Sequence, residues 1–143
     1  LGLGCDGAAP SNLDIFDEMK VLRYAMMAYW GLPSFNPVVM TCPTLLKMAS
    51  QGGANAIGHG DILGSVEEGK KADLILVNIE QPHITPTQNL VNTIVDAANG
   101  HDVMDSIING KLVMKNREVL TLDEERIRFE ATQHMNKIIK RAY

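Results

Sequence analysis

The dipeptide Asn109-Gly110 places the strongest constraint on the fold, because it separates two short segments with strand-like composition. Residues 104–108 and 111–114 each contain three apolar residues, as expected of half-buried strands. A two-residue hairpin turn of type I′ needs positive φ at both central positions, and Asn followed by Gly is the preferred pair there. The sequence therefore predicts an antiparallel hairpin over residues 104–114.

Further segments extend this β-rich region in both directions. Residues 72–77 form an almost continuous apolar run, which is typical of a mostly buried strand. The charged run EEGKK at residues 67–71 precedes it and is interpreted as a solvated turn. After the hairpin, Asn116-Arg117 predicts a second tight turn before residues 118–120.

The N-terminal part of the chain is helical in pattern. Apolar residues recur at steps of three and four from Leu13 to Tyr29, which predicts an amphipathic helix with one buried face. Ser11 or Asn12 can cap this helix, and Gly31-Leu32-Pro33 ends it.

A second helix is predicted to begin after Thr41 as N-cap, with Pro43 tolerated in the first turn. Gly52-Gly53 in its middle costs about 1 kcal/mol per residue relative to Ala, so the helix needs tertiary packing, and these glycines permit close approach of a neighbour. The residues expected to face the core are Leu45, Met48, Ala49, Ala56 and Ile57.

Two more helices follow along the chain. Residues 90–98 are ambiguous in pattern, and we favour a short helix there. The last helix is predicted to open with a capping box over residues 121–124. Acidic residues in its first turn and basic residues in its last turn both complement the helix dipole.

Composition excludes several classes of protein. Hydrophobic residues make up 45% and charged residues 21%, which excludes a disordered or fibrous chain. The formal net charge of −4, with no basic block, argues against nucleic acid and anionic membrane as partners. No apolar run approaches the ~20 residues of a membrane span, and the first residues lack the basic segment of a signal peptide. Cys5 and Cys42 do not suggest a disulfide framework, which favours a reducing cytoplasm.

The first residues predict a buried strand that is cut from its surroundings. Residues 1–5 are apolar or small, and Asp6-Gly7 turns the chain into a loop. The absence of an initiator Met or a preceding turn is a first indication that the chain is a fragment. A (β/α)₈ barrel takes about 250 residues, so 143 residues cannot close one alone.

Three groups of motifs carry a resemblance to a known family. The first is LGCDGAA at residues 3–9, followed by NLD at 12–14 and FDEM at 16–19. The second runs from MA at 48–49 through AIG at 56–58 into ILGSVEEGKKADLI at 62–75. The third comprises PHITP at 82–86, NGKLV at 109–113 and NRE at 116–118. In this order the chain resembles the C-terminal part of metal-dependent amidohydrolases, closest to the subgroup of 5′-methylthioadenosine/S-adenosylhomocysteine deaminases and triazine chlorohydrolases.

The resemblance implies an α/β fold of two parts. Residues 1–58 would be the last strand and helices of a (β/α)₈ TIM-type barrel, with residues 1–5 as the eighth strand. Residues 59–122 would be the C-terminal part of a small β-sandwich domain, with a helical excursion near 88–98, and residues 123–143 a C-terminal helix. On this interpretation the chain is a fragment.

The resemblance also implies that Asp6 is a metal ligand and a catalytic residue. Barrel active sites lie at the C-terminal ends of the strands, and Asp6 ends the predicted strand. A carboxylate suits a divalent ion, most simply zinc, and can take a proton from a metal-activated water that attacks a ring carbon. From the sequence pattern alone, a simple Asp-Gly turn, with Asp6 bonded to nearby backbone, is the favoured explanation, and the resemblance reverses this preference for the full-length enzyme. Ser11 and Asn12 are substrate-binding candidates, with helix capping as the alternative.

The remaining metal ligands of the family have no counterpart in this chain. His59, His83, His101 and His134 do not share metal-ligand spacing, and we expect surface or structural roles for them. One carboxylate does not hold a metal, so the chain alone is expected to be inactive and not to retain zinc. Cys5 is interpreted as a small buried hydrophobe, and a lowered pKa at the helix start is the alternative for Cys42.

The resulting interpretation is the C-terminal part of a cytoplasmic, metal-dependent aminohydrolase that cleaves a C–N bond on a heteroaromatic ring, with an adenosine derivative as the favoured substrate. The alternatives are a chlorohydrolase or a guanine-deaminase-type member of the same superfamily, or a noncatalytic stand-alone module. The partners implied are a small-molecule substrate, the missing N-terminal part of the same enzyme and a second copy in a homo-oligomer. Neither nucleic acid nor membrane is expected.

Overall fold

A four-stranded antiparallel sheet forms the C-terminal half of the fold. The computed structural model describes residues 1–7, 12–36 and 38–142. Neighbouring strands follow chain order across the sheet, so β1 and β4 are its edges. The strands are β1 (Leu74–Val77), β2 (Val103–Ile108), β3 (Lys111–Lys115) and β4 (Glu118–Val119).

The predicted hairpin is confirmed as the β2–β3 connection. Asn109 has φ 50° and Gly110 has φ 76°, which are the signs that a type I′ turn requires. Asn116 and Arg117 also have positive φ, at 47° and 71°, and they make the second tight turn into β4. Local turn chemistry therefore sets the register of three of the four strands.

The helices interleave with short π and 3₁₀ turns. Two π turns continue α1 and α2, and a 3₁₀ turn, Gly100–Asp102, leads into β2. The helical elements are α1 (Ile15–Met26), the first π turn (Met27–Gly31), α2 (Cys42–Lys47), the second π turn (Met48–Gly52), α3 (Gly53–Ala56), α4 (Leu90–Asp96) and α5 (Glu124–Ala142).

The N-terminal caps of α1 and α5 differ from the predicted ones. Asp14 caps α1 by accepting a hydrogen bond from the Phe16 N–H at 2.9 Å, so the prediction of Asn12 as cap is wrong. Ser11 lies outside the described residues. For α5, the Asp123 carboxylate accepts from the Arg126 N–H at 2.9 Å, so a box that opens at residue 121 starts two residues too early. In both cases a carboxylate closer to the helix takes the exposed N–H group.

The predicted start of the second helix is confirmed, with Thr41 as N-cap and proline in the first turn. Leu45 is fully buried as expected, but Ala56 and Ile57 are exposed. The second π turn explains this difference. It holds more residues per turn than an α-helix, so the apolar spacing beyond it no longer falls on one face.

The segment of residues 1–5 is not a strand in this structure. Its backbone packs on the second π turn instead, where the Leu3 N–H donates to the Met48 carbonyl at 3.2 Å. A Cβ added at Gly52 would lie 2.2 Å from the Leu1 carbonyl oxygen, and one at Gly2 would lie 2.7 Å from the Gly53 Cα. Glycine is therefore required for this close backbone contact.

The core joins the helices to the sheet. Its buried members include residues from both sides of the predicted boundary at residue 58, and that boundary stays a prediction. The cluster contains Phe16, Met19, Cys42, Leu45, Ile84, Val95, Ala98 and Val103. By contrast, α5 stands apart, with its side chains through Arg141 exposed.

None of the helices within the described ranges combines the length and the apolar character that crossing a bilayer would need.

The glycine contact predicts a position-specific effect of adding one methyl group. In the full-length protein that carries this chain, Gly52→Ala would drive a Cβ into the Leu1 carbonyl and should lower the free energy of unfolding by about 1–3 kcal/mol. Gly53→Ala is the matched control, since its Cβ would meet nothing closer than 3.8 Å. It should be neutral, or stabilise the helix by up to about 1 kcal/mol. Urea denaturation of both variants checks this, and equal effects would contradict it.

Candidate active site

The candidate ligand Asp6 follows directly on the segment that rests on the second π turn. Its side chain is exposed, whereas the preceding Cys5 is half-buried. Within residues 1–7, 12–36 and 38–142, no group donates a hydrogen bond to the Asp6 carboxylate. Its oxygens are therefore open to a ligand from outside these residues.

The substrate-binding candidate Asn12 lies at the N-terminal end of α1. Its side-chain amide donates to the Asp17 carboxylate at the limiting distance of 3.5 Å. This contact orients Asn12 only weakly. The other candidate, Ser11, is outside the described residues, so its role stays a prediction.

Asp14 connects the helical part of the site to the sheet. While one carboxylate oxygen caps α1, the other accepts a hydrogen bond from the Gly100 N–H at 2.7 Å. Arg117 holds the same turn from the sheet side, donating to the Gly100 carbonyl at 2.8 Å and to the Val103 carbonyl at 3.0 Å. The sequence pattern gave no signal for the contact between Asp14 and Gly100, because the two residues are 86 positions apart in the chain.

A cleft of about 930 Å³ lies between the start of α1 and the sheet. Residues 12–17 line it from the start of α1, and the sheet and the turn before β2 line it from the other direction. Cys5 lines the cleft, but Asp6 does not. The polar lining residues include Asn12, Asp14, Asn99, His101 and Arg117, and the apolar ones include Phe16, Ile75, Val103 and Met114.

The described residues do not bring together three or more His, Cys, Asp or Glu side chains that could hold a metal ion. His59, His101 and His134 are all exposed. His83 has a specific partner, since its Nε2 lies 2.9 Å from Oδ2 of Asp102. The expectation of a surface or structural role agrees with this placement.

Asp102 is a buried carboxylate that pairs with the exposed side chain of His83. Asp102 is only 3% exposed. Burial alone would raise its carboxyl pKa, but hydrogen bonds from His83 and from the Asn99 N–H outweigh burial and lower the pKa. The carboxylate is therefore ionised at neutral pH, and it fixes the turn before β2.

The two cysteines are not activated thiols. Partial burial raises the pKa of Cys5, and the carboxylates of Glu18 and Asp14 add to this shift. Burial also raises the pKa of Cys42, with the Asp96 carboxylate as the next cause. The alternative of a lowered pKa at the helix start is therefore wrong for Cys42, because the neighbouring negative charge opposes a thiolate.

Within the charged run at residues 67–71, the interpretation as a solvated turn fails for one residue. The Lys70 side chain is only 12% exposed, whereas Lys71 is exposed. Its ammonium donates to oxygens of Gln51, Gly60 and Ser65. Spacing along the chain does not reveal this role, because the partners belong to a separate helix and loop.

The His83 contact predicts a loss of stability in the His83→Ala variant of the full-length protein. Because the folded-state pKa of Asp102 is lowered, its contribution to stability is present above the unfolded-state pKa of about 3.9 and is lost as the pH falls through the folded-state value. Among the residues that the structure describes, removing His83 leaves the Asn99 N–H as the remaining hydrogen-bond donor to the buried carboxylate. It should cost about 1–3 kcal/mol at pH 7.

Thermal and urea denaturation between pH 3 and 8 measure this effect. The difference between wild type and His83→Ala should shrink toward low pH, where Asp102 is protonated in both proteins. His134→Ala, on the exposed α5, is the control and should leave stability unchanged. A deficit in His83→Ala that is independent of pH would contradict the electrostatic role.

Comparison with known proteins identifies relatives along almost the whole chain. The chain is 42% identical over 142 residues to a 5-methylthioadenosine/S-adenosylhomocysteine deaminase of Pelotomaculum thermopropionicum, covering 99% of this chain and 32% of that protein. It is 36% identical over 141 residues to an enzyme of the same name from Acetivibrio thermocellus, covering 98% and 32%. The chain thus spans about a third of the length of the curated relatives it matches.

Solved structures with the same fold agree with this result. An adenosine deaminase from Xanthomonas campestris with bound zinc superimposes with a TM-score of 0.90 at 31% identity, covering 98% of this chain and 31% of that one. An atrazine chlorohydrolase from Arthrobacter aurescens complexed with zinc gives 0.76 at 25% identity, covering 92% and 29%. The amidohydrolase family matches residues 1–113, which is most of the sequence. The chain therefore belongs to the amidohydrolase family.

Proposed function

We propose that this chain is the C-terminal third of a zinc-dependent enzyme that deaminates an adenosine derivative. The observation that carries the proposal is the 42% identity, over nearly the whole chain, to a protein named as a 5-methylthioadenosine/S-adenosylhomocysteine deaminase. The structural likeness to an adenosine deaminase with bound zinc supports the same substrate class. The rest of the enzyme, including the larger part of the barrel, would lie outside these 143 residues.

Asp6 fits the role of one zinc ligand. A zinc site usually takes at least three protein ligands, and carboxylate oxygen is one of the accepted donors. The carboxylate is exposed and receives no hydrogen bond within the described ranges, so ligation would displace no partner there. Asp6 alone does not make a site, and the histidines of this chain do not gather around it. The other ligands would therefore come from the N-terminal part of the protein.

A bound zinc would lower the pKa of its water and so supply a nucleophile at neutral pH. The contribution of this chain would be the Asp6 carboxylate, which would help to hold the metal and would accept a proton from water. The proton would then pass to the leaving amine, so the released product is ammonia.

The cleft beside Cys5 supports a further assignment. Asn12 lines this cleft, which extends toward the sheet from the segment that carries Asp6. We therefore place Asn12 at the substrate-facing end of α1, with Ser11 beside it in the chain. In this arrangement residues 1–58 complete the barrel, and residues 59–122 contribute the C-terminal half of a sandwich.

The direct test uses the full-length protein loaded with zinc. Ammonia release from adenosine, 5′-methylthioadenosine and S-adenosylhomocysteine should be detectable with at least one substrate. Asp6→Asn removes the ligand charge and should lower kcat/KM by at least about 100-fold, because even outer-shell changes at metal sites cost 10–100-fold. Zinc content by mass spectrometry should fall in the same variant.

Asp61→Asn is the matched control, since Asp61 is an exposed carboxylate on a loop away from the cleft. It should retain wild-type activity and zinc. Wild-type activity in Asp6→Asn would refute the role of Asp6. A zinc-loaded protein that turns over none of the three nucleosides would refute the deaminase assignment.

One observation favours a second candidate reaction. The likeness to an atrazine chlorohydrolase at 25% identity permits hydrolytic release of chloride instead of ammonia. The same zinc-loaded protein with a chlorotriazine distinguishes the two through chloride release, and guanine tests the remaining ring system. Turnover of none of these compounds would leave a noncatalytic module as the function.

A further inference from the structure

The second π turn, Met48–Gly52, contacts two other parts of the chain. One is the segment of residues 1–5, bonded through the Leu3 N–H to the Met48 carbonyl at 3.2 Å. The other is the loop of residues 59–70, where a Cβ added at Gly64 would come within 2.6 Å of the Gln51 Cα. A displacement of this loop would therefore be transmitted through the helix backbone to the segment that carries Asp6.

Gln51 is the polar link between the π turn and the loop. Its side-chain amide donates to the Gly60 carbonyl at 2.8 Å and to Asn55 Oδ1 at 3.1 Å. Its amide oxygen accepts from the Lys70 ammonium at 3.1 Å. Both ends of the amide are thus satisfied, which fixes its orientation.

Lys70 closes this network from the loop side. Besides Gln51, its Nζ donates to the Gly60 carbonyl at 3.1 Å and to Ser65 Oγ at 2.5 Å. Weaker contacts at 3.5 Å reach the Leu63 carbonyl and Glu67. Hydrogen bonds from an ammonium are stronger than neutral ones, and 12% exposure limits competition from water.

We propose that Lys70 is a positioning residue: through Gln51 it fixes the π turn on which the Asp6 segment rests, and so sets the place of Asp6 in the metal site. The claim that Lys70 affects metal binding by Asp6 rests on the proposed function. The mechanical part of the proposal, that Lys70 fixes the backbone of residues 1–5 through the π turn, does not depend on the proposed function. Lys70 would touch neither metal nor substrate, and its effect would be transmitted by packing and backbone contact.

The test compares Lys70→Met with Lys71→Met in the full-length protein. The two lysines are adjacent, but the Lys71 side chain is exposed, so the pair separates the network from the loss of a charge. Hydrogen exchange without metal should be at least about fivefold faster for residues 1–7 in Lys70→Met and unchanged in Lys71→Met. Gln51→Met is a second variant, which removes the amide but no charge. It should also accelerate the exchange of residues 1–7. The double variant should add little, because both residues belong to one network.

Replacing zinc by cobalt tests whether Lys70 affects the metal site. The measurements are made below the melting temperature of each variant, so that every protein is folded. The visible spectrum of the cobalt-loaded protein should shift in Lys70→Met, and metal should dissociate about tenfold faster, at the low end of the effect of outer-shell changes. A purely structural role would leave the spectrum of the folded protein unchanged. An unaltered spectrum together with faster exchange would overturn the effect on Asp6.

Two outcomes would overturn the mechanical part. One is unchanged exchange of residues 1–7 in both Lys70→Met and Gln51→Met, and the other is an equal effect in Lys71→Met. The exchange measurement needs neither zinc nor substrate, so it stands if the deaminase assignment fails. Conversely, loss of activity in Asp6→Asn with normal exchange in Lys70→Met would support the enzyme and refute the positioning role.

Discussion

The close backbone contact between Gly52 and the Leu1 carbonyl is the constraint on which the candidate site depends. A side chain at either Gly2 or Gly52 would separate the N-terminal segment from the helix. With glycine at both positions, the segment lies against the π turn and the Leu3 N–H reaches the Met48 carbonyl. Asp6 follows Leu3 of this packed segment after two residues, Gly4 and Cys5.

Polar contacts between distant parts of the chain orient the remainder of this region. Asp14 caps α1 and holds the turn at Gly100 with the same carboxylate. Asp102 anchors the end of that turn through His83. Both carboxylates lie where helix and sheet meet, so the start of α1, which follows Asn12 in the chain, cannot shift without breaking contacts to the sheet.

Local sequence patterns predicted the strands and turns of the sheet, but they did not predict contacts between residues that are far apart in the chain. Asn109-Gly110 specifies its turn by the φ angles of two residues, which no tertiary contact has to supply. The prediction that Ala56 and Ile57 face the core was wrong, because a π turn changes the number of residues per helical turn before them.

For the site, Asp6 was identified from a motif, and its role stays a prediction. The role of Lys70 was not predicted, because its hydrogen-bond acceptors are brought together by the packing of a loop on a helix.

We propose that Asp6 supplies one ligand to a zinc ion whose other ligands come from the rest of the protein. Diffraction from crystals of the full-length protein, recorded on both sides of the zinc absorption edge, locates this ion and its ligands. We expect an anomalous peak about 2.0–2.2 Å from an Asp6 carboxylate oxygen. A fully occupied zinc peak whose coordination excludes Asp6 would contradict it.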